Sequence, residues 1–267
     1  MSVRSALTIF CAVLLLTGPA AADNHQTSAP ISITPGDTIQ VPDFMKIALK
    51  AGSRPDEDKD RDAGRKPGEV MAFFGLERGD TVAEFMASRG YYFGVLSEMV
   101  GPQGTVYGHN NPWLADRITE GTPLGPRIES SGLTNVKEIV SELEDPGIPD
   151  SSLDQAYMVL FYHDTYWLGT DRDAMNAAIY KALKPDGIYG VIDHHAAPGM
   201  GVTDVRGNHR IERHVVVEEV QTAGFELVSE TDVLENLNDP LNVIVFRPDL
   251  RGETHRFVLK FQKPLDG

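Results

Sequence analysis

Four of the eight histidines in the chain are His163, His194, His195 and His209, and the first three lie in the motifs YHD (162–164) and DHH (193–195). Histidine can act as a general acid or base near neutral pH, or as a neutral metal ligand. Asp164 and Asp193 add carboxylate oxygens, so that Asp164, Asp193 and His194 are candidate ligands for a divalent ion. The spacing matches no known metal motif, and hydrogen-bonded loop histidines that orient the backbone are the alternative. Proton transfer, metal binding and a structural role stay open at this point.

A second candidate site lies in residues 82–96, VAEFMASRGYYFGVL. An apolar run ends in Glu84, Gly90 follows, and a helix-like stretch comes next, which is the outline of a strand, turn and helix that hold a nucleotide. Such turns usually carry three glycines, because glycine allows positive φ angles and a close approach of the main chain to the ligand. Here Met86 and Ser88 occupy the first two positions. A non-glycine residue held left-handed costs about 1–3 kcal/mol, so we expect an altered cradle with weakened binding, or a turn of different shape.

The elements that position these residues alternate between strand-like and helix-like segments from Thr81 onward. This alternation predicts a parallel sheet covered by helices on both faces. Two closing strands without a long helix between them predict a hairpin, and hence an antiparallel edge. The predicted strands are 81–85, 104–108, 135–140, 153–162, 188–192, 225–228 and 256–261, and the predicted helices are 44–49, one that begins at Pro67, 91–100, 173–183 and one through 211–220.

Polar residues stand at the end of each predicted parallel strand, where an open sheet binds its ligands. They are Glu84, His109-Asn110, Ser141-Glu142, His163-Asp164 and Asp193-His194-His195. Because the carboxyl ends of parallel strands meet at one edge of the sheet, we expect Glu84, Asn110, His163 and Asp193 to surround a common hollow.

The first residues indicate export from the cytoplasm. Arg4 precedes an apolar stretch, ALTIFCAVLLLTG (6–18), and Ala20-Ala21-Ala22 supplies a small-residue cleavage pattern. This arrangement predicts a secretory signal peptide over 1–22 and a location in the periplasm of a Gram-negative bacterium, with a retained membrane anchor as the alternative. Cleavage would leave 267 − 22 = 245 residues without a cysteine, since Cys11 is the only one. The mature chain is therefore expected to have neither a disulfide nor a thiolate ligand.

The remaining sequence is acidic and is expected to form one domain. A formal net charge of −15 argues against nucleic acid or an anionic membrane as a partner, and the sequence leaves the oligomeric state open. Residues 23–40 are predicted to be a polar linker or arm, and 41–267 a single domain. Residues 54–70 are dense in charges of both signs, and on charge pattern alone they indicate a solvated surface segment.

Eleven short motifs occur in order along most of the mature chain. They are RPDEDKDRDAGRKPGEV (54–70), GLERGDTVAE (75–84), GYY (90–92), GPQGTVYGHN (101–110), NV (135–136), YHD (162–164), LKPDG (183–187), DHHAAPG (193–199), HRIE (209–212), AGF (223–225) and RGETHRFVLKFQKP (251–264). Each motif is weak alone. The ordered set resembles the class I S-adenosylmethionine-dependent methyltransferases, and more narrowly a bacterial group of exported predicted methyltransferases.

The resemblance implies a Rossmann-like, seven-stranded, mostly parallel sheet with an antiparallel last strand, and S-adenosylmethionine as the cofactor. It implies that Glu84 and the turn face the methionine part of the cofactor, that Asn110 meets the ribose hydroxyls and that Glu142 lies near the adenine. Residues 54–70 would then fold over the pocket as a lid. The cofactor-binding set is thus Glu84, Met86, Ser88, Gly90, Asn110 and Glu142.

The resemblance also places Tyr162, His163 and Asp164 next to the transferring methyl group and the substrate. The expected catalytic set is Tyr162, His163, Asp164, Asp193 and His194. One hypothesis is methyl transfer to an oxygen or nitrogen of a small molecule, with His163, oriented by Asp164, as the base. The other is a catalytically inactive protein of the same fold that binds a small ligand or a protein partner, which the altered glycine turn and the export signal favour.

Overall fold

The computed structural model describes residues 31–32, 38–119 and 124–265. The predicted signal peptide, 1–22, and most of the predicted polar arm lie outside the described residues. Within the described ranges, no helix combines the length and the apolar character that crossing a membrane requires.

The strands of the described residues form one sheet. They are β1 (Ile31–Ser32), β2 (Thr81–Phe85), β3 (Thr105–Asn110), β4 (Val136–Val140), β5 (Leu153–Val159), β6 (Leu183–His194), β7 (Glu226–Thr231) and β8 (Arg256–Gln262). Their order is β1-β7-β8-β6-β5-β2-β3-β4. Strands β2 to β8 confirm the predicted seven-stranded, mostly parallel sheet, and the two-residue β1 adds an eighth strand, parallel to β7.

The antiparallel strand is β8, which pairs with both β6 and β7. The predicted hairpin of the last two strands is confirmed, but the prediction that it gives an antiparallel edge is wrong, because β8 lies inside the sheet. Its composition explains the position. Phe257, Leu259 and Phe261 are buried on one face and Val258 is buried on the other, as an interior strand with both faces covered requires.

Ten helices surround the sheet within the described residues. They are α1 (Asp43–Leu49), α2 (Asp56–Lys59), α3 (Asp62–Arg65), α4 (Pro67–Phe74), α5 (Tyr91–Val100), α6 (Pro112–Thr119), α7 (Gly125–Ser131), α8 (Asp164–Leu168), α9 (Arg172–Ala182) and α10 (Arg213–Thr222). The sequence prediction missed α6 and α7, which fall in a stretch rich in proline and glycine, and the short helices α2, α3 and α8.

Two apolar clusters cover the two faces of the sheet, as the sequence predicted. The first cluster joins α4 and α5 to Val82 and Val106 of the sheet. The second joins α9 and α10 to Ala83, Phe85 and Met158. Successive residues of a strand point to opposite faces, so Glu84, two residues after Val82, belongs to the face of the first cluster.

The chain turns sharply after β5. The predicted strand 153–162 ends at Val159, because Leu160 has a φ of 60°, in the left-handed region. The YHD motif therefore follows a turn instead of continuing the strand, and Asp164 begins α8.

The charged segment 54–70 packs against the N-terminal end of α5. Arg54 is only 1% exposed, and its guanidinium donates two hydrogen bonds to the Asp62 carboxylate at 2.6 and 2.8 Å. The Tyr91 hydroxyl donates to the same carboxylate at 2.6 Å, and Arg127 of α7 pairs with Asp58. Partly buried ion pairs thus hold the segment at Arg54, Asp58 and Asp62. The interpretation of a solvated surface segment holds for its exposed residues, such as Asp56, Glu57 and Asp60, but not for these three.

Candidate active site at the carboxyl edge of the sheet

The turn after β2 keeps the shape of a glycine-rich turn without two of the glycines. Met86 has a φ of 57°, Ser88 of 55° and Gly90 of 81°, so every second residue is left-handed. For a residue with a Cβ this conformation costs about 1–2 kcal/mol. Of the two outcomes expected from the sequence, retained shape with strain is therefore the one observed.

Contacts with β3 hold the strained turn in place. The side-chain oxygen of Asn110 accepts a hydrogen bond from the Ser88 N–H at 2.7 Å, and its amide donates to the Ser88 carbonyl oxygen at 3.3 Å. The Ala87 N–H donates to the His109 carbonyl oxygen at 2.8 Å. Asn110, predicted to meet ribose hydroxyls, is fully buried, and both its side-chain oxygen and its side-chain nitrogen bond to the turn.

The side chain of Met86 is 2% exposed and packs in the second apolar cluster. Its thioether is thus part of the core on the face opposite Glu84. Replacement of Met86 would relieve the strain in the turn but would also remove core contacts. Ser88 is half-buried and is not part of the apolar core, so a substitution there tests the strain alone.

Glu84 is a buried carboxyl group with a spare acceptor. It is 5% exposed, and its Oε2 has no hydrogen-bond partner among the described residues. Burial raises the pKa of Glu84 to about 8, against the opposing effects of Arg65, a backbone hydrogen bond from Phe93 and Arg127. A buried carboxyl group of this kind is suited to bind the cationic end of a ligand, because ionisation becomes favourable once a positive charge lies beside it.

A second group of polar side chains surrounds His163. Its Nδ1 lies 2.7 Å from Asp193 Oδ1, and its backbone N–H donates to Asp193 Oδ2 at 2.8 Å. Its Nε2 lies 2.9 Å from Asp164 Oδ1. Burial would lower the pKa of His163, but Asp193 and Asp164 outweigh it and raise the pKa to about 10. At neutral pH His163 is therefore an imidazolium between two carboxylates.

His209 completes this group from a loop that precedes α10. Its Nδ1 lies 3.0 Å from Asp164 Oδ1 and 3.1 Å from His163 Nε2. Trp167 Nε1 donates to the same Asp164 oxygen at 2.7 Å. Burial would raise the pKa of Asp164, but hydrogen bonds from His163 and His209 lower it to about 2. The sequence drew attention to His209 as one of four histidines but did not include it in the catalytic set.

The two groups belong to one edge of the sheet. Strands β3, β2, β5 and β6 are neighbours and parallel, as the sequence predicted, so their carboxyl ends lie together. Arg65 acts on the pKa of both Glu84 and His194, and the His194 ring centroid lies 5.9 Å from that of His163. Glu84 and His163 are nevertheless buried, and they do not line an open cleft.

Solved structures share this architecture at low sequence identity. A S-adenosylmethionine-dependent methyltransferase from Aquifex aeolicus is 21% identical, with 79% of this chain and 98% of that chain covered and a TM-score of 0.57. A geranyl diphosphate C-methyltransferase from Streptomyces coelicolor is 13% identical, with 81% and 87% covered and a TM-score of 0.56. The fold of this chain is therefore that of the class I methyltransferases. The [4+2]-cyclase SpnF has the fold too, at 17% identity, 76% and 82% coverage and a TM-score of 0.55.

Sequence comparison reaches only part of the chain. No protein-family model matches it. A curated protein-L-isoaspartate O-methyltransferase from Ignicoccus hospitalis is 29% identical over 114 residues, which are 42% of this chain and 41% of that protein. The match therefore spans about two fifths of that relative.

Several residues expected in the active site of this methyltransferase fold have other partners. Tyr162 donates its hydroxyl to Glu219 at 2.9 Å and accepts from Asn176 at 2.9 Å, between α9 and α10. His194 Nδ1 lies 2.7 Å from Thr254 Oγ1, and burial holds its pKa well below the usual range. Glu142 is exposed after β4. The ligand set Asp164, Asp193 and His194 is also not brought together, because Asp193 faces His163 instead.

Strain at Ser88 gives a first prediction. Ser88→Gly should stabilise the chain by about 1 kcal/mol, because glycine adopts the left-handed conformation without the Cβ penalty. Ser151 is an exposed serine with a φ of 49°, and Ser151→Gly should give a similar gain as the matched control. Urea denaturation measures both, and a loss of stability in Ser88→Gly would show that its side chain has a stabilising role.

Proposed function

We propose that this chain transfers a methyl group from S-adenosylmethionine to an oxygen or nitrogen of a small molecule. The observation that carries the proposal is the buried carboxyl group of Glu84, with its unpartnered Oε2, at the carboxyl edge of a class I methyltransferase sheet. The curated methyltransferase relative supports it as well. When bound, the cofactor supplies an activated methyl group.

The residues present fit the amino-acid end of the cofactor. Glu84 would accept hydrogen bonds from the α-ammonium group, and the left-handed turn at Met86, Ser88 and Gly90 would bring the backbone close to it. The ribose end requires Asn110 to exchange its bonds with Ser88 for bonds to the ligand. Glu142, which is exposed after β4, would lie near the adenine of the bound cofactor.

The segment 54–70 would control entry of the cofactor to this buried edge of the sheet. Arg61 and Arg65 stack on the Tyr91 ring at 4.7 and 4.6 Å, and both act on the pKa of Glu84. These contacts support a role for α2 and α3 as a lid over the methionine end of the cofactor. Outward movement of this segment would open the site, and its return would exclude water from the reacting groups.

Removal of the proton from the methyl acceptor is assigned to His209, whose Nδ1 is hydrogen-bonded to Asp164 and whose Nε2 would take the proton. His163 alone, the base expected from the sequence, already carries a proton at neutral pH, because its pKa is raised to about 10. Asp193 holds its ring and Asp164 joins it to His209, the most exposed of the three. Positioning of the acceptor against this group would supply much of the rate.

A second candidate function is ligand binding without methyl transfer. Two observations favour it: the side chain of Asn110 is already hydrogen-bonded to Ser88, and the carboxyl edge of the sheet is buried. The cyclase neighbour has the same fold under a name that is not that of a methyltransferase.

Calorimetry with S-adenosylmethionine on the purified chain tests the proposal. We expect saturable binding, and a similar affinity in Ser88→Gly, because the free chain already holds the left-handed turn and relief of its strain acts on the free and bound states alike. Ser151→Gly should leave the affinity unchanged. No heat at millimolar ligand would contradict methyl transfer. Affinity that appears only in the double variant Met86→Gly/Ser88→Gly would favour the second candidate.

We also propose that the chain acts in the cell envelope, on the support of the signal-like residues 1–22. Fractionation of cells that express the full chain tests this location. Recovery of an uncleaved chain from the cytoplasm would contradict it.

A further inference from the structure

We propose that His163, Asp164 and His209 bind a divalent first-row transition-metal ion. Three donor atoms from two separate segments of the chain converge here: His163 Nε2 and Asp164 Oδ1 from adjacent residues, and His209 Nδ1 from the loop before α10. They lie 2.9, 3.0 and 3.1 Å from one another. The inference concerns metal binding alone and does not depend on methyl transfer. The ion would replace the proton that His163 carries on Nε2.

The size of this triangle indicates the coordination geometry. Ligands about 2.1 Å from an octahedral ion are about 3.0 Å apart on one face. Ligands at the same distance from a tetrahedral ion would be about 3.4 Å apart. The observed distances match an octahedral face, so three positions would stay open for water or a substrate. Two imidazoles and one carboxylate on such a face are the donors that iron(II) takes, and manganese, cobalt or nickel can replace it.

Neighbouring residues orient the donors as residues around a metal site do. Asp193 binds the Nδ1 of His163 at 2.7 Å and thereby directs Nε2 toward the other two donors. Trp167 fixes the Asp164 carboxylate through a hydrogen bond of 2.7 Å. A carboxylate on the far nitrogen of a ligating histidine sets its orientation and raises its basicity.

The donors can be reached from solvent on one side. The side chains of His209 and Asp164 are 19% and 11% exposed. The ring of Phe246, which is 51% exposed, lies 4.8 Å from the ring of His209. An ion can therefore enter, and its open positions would face a rim with an exposed aromatic ring. The ligand class for those positions is a small molecule with an oxygen or nitrogen donor and an apolar part.

Hydrogen bonds among the same three atoms are the alternative explanation of the short distances, and metal binding by the intact chain separates the two. The purified protein is stripped with chelator, incubated separately with Mn²⁺, Fe²⁺ without oxygen, Co²⁺, Ni²⁺ and Zn²⁺, dialysed and measured by mass spectrometry of the metal. We expect one ion per chain for at least one of these metals. No stoichiometric ion with any of them would overturn the inference.

Variants locate the ion. His209→Asn removes the imidazole and keeps a residue that tolerates the left-handed φ of 56° found at this position. Asp164→Asn keeps an acceptor for Trp167. Each should weaken binding at least 100-fold, whereas His214→Asn, a control at a histidine whose side chain is 64% exposed, should bind as the parent does.

Equal affinity in the parent and in a folded His209→Asn or Asp164→Asn variant would also overturn the inference, and thermal unfolding shows which variants are folded. Because no cofactor is present in these measurements, failure here leaves the proposed methyl transfer standing. Failure of S-adenosylmethionine binding likewise leaves the metal site standing.

Discussion

Glu84→Gln should remove a large pH dependence of stability. The pKa of Glu84 is raised from 4.5 to about 8 by burial, so between these values the folded chain holds a proton that the unfolded chain has lost. The resulting stabilisation is present below about pH 4.5 and is lost as the pH rises through about 8. The free energy of unfolding should therefore fall by about 3–5 kcal/mol across this range because of Glu84.

Glutamine has the same shape and no proton to lose, so the variant should lack this part of the decline. Urea denaturation at pH 6, 7.5 and 9 compares the two chains. Glu77→Gln, at an exposed glutamate just before β2, should keep the pH profile of the parent. Parallel profiles for the parent and Glu84→Gln would show that the carboxyl group is not held protonated by burial.

The same variant should bind S-adenosylmethionine about 10- to 100-fold more weakly. A hydrogen bond to a charged group contributes about 1.5–3 kcal/mol, and glutamine offers the ammonium group a neutral oxygen in place of a carboxylate. Binding by the parent should strengthen between pH 6.5 and 8.5 as Glu84 gives up its proton, and binding by the variant should not. Calorimetry at these two pH values measures the difference, and equal affinities would remove Glu84 from the cofactor site.

The part of the site around Glu84 could be predicted from the sequence, because residues close together in the chain form it. Strand β2 and helix α5 have the bounds expected for them, 81–85 and 91–100, because a short apolar run, a glycine and a helix-like stretch in that order specify a strand, a turn and a helix. The left-handed turn is equally local. Glu84 could therefore be placed at the carboxyl edge from the sequence alone.

The His163 group could be predicted only in part, because distant segments form it. The turn at Leu160 removes the YHD motif from the strand, and no residue type at that position signals a positive φ. Asp193, not Asp164, binds the far nitrogen of His163. His209 reaches Asp164 from 45 residues away. Such a contact depends on the path of the loop before α10, which periodicity does not encode.

That loop is held by a buried ion pair next to His209. Arg210 and Asp239 are both fully buried and form two hydrogen bonds of 3.0 and 2.9 Å. Arg210 also donates to the carbonyl oxygens of His195 and Val243. Arg210→Met should cost about 3–5 kcal/mol, because it leaves a buried carboxylate without its countercharge.

Arg247 and Asp249 provide the matched control. They form the same two-bonded pair at the surface, with side chains 43% and 65% exposed, where water replaces a lost partner. Arg247→Met should leave the urea midpoint unchanged. Similar losses in Arg210→Met and Arg247→Met would mean that burial of the Arg210 pair contributes nothing.

A double variant separates the ion pair from the loop it holds. In Arg210→Met/Asp239→Leu no buried charge is left unpaired, so stability should recover in part. Recovery should be incomplete, because Asp239 also accepts the N–H groups of His255 and Leu241 at 2.7 and 2.9 Å, which leucine leaves unsatisfied. His209 directly precedes Arg210, so loss of the ion pair should also displace His209 and weaken metal binding. In the double variant the metal affinity should therefore stay below that of the parent even where stability returns. Full recovery of both would show that His209 finds Asp164 without the ion pair.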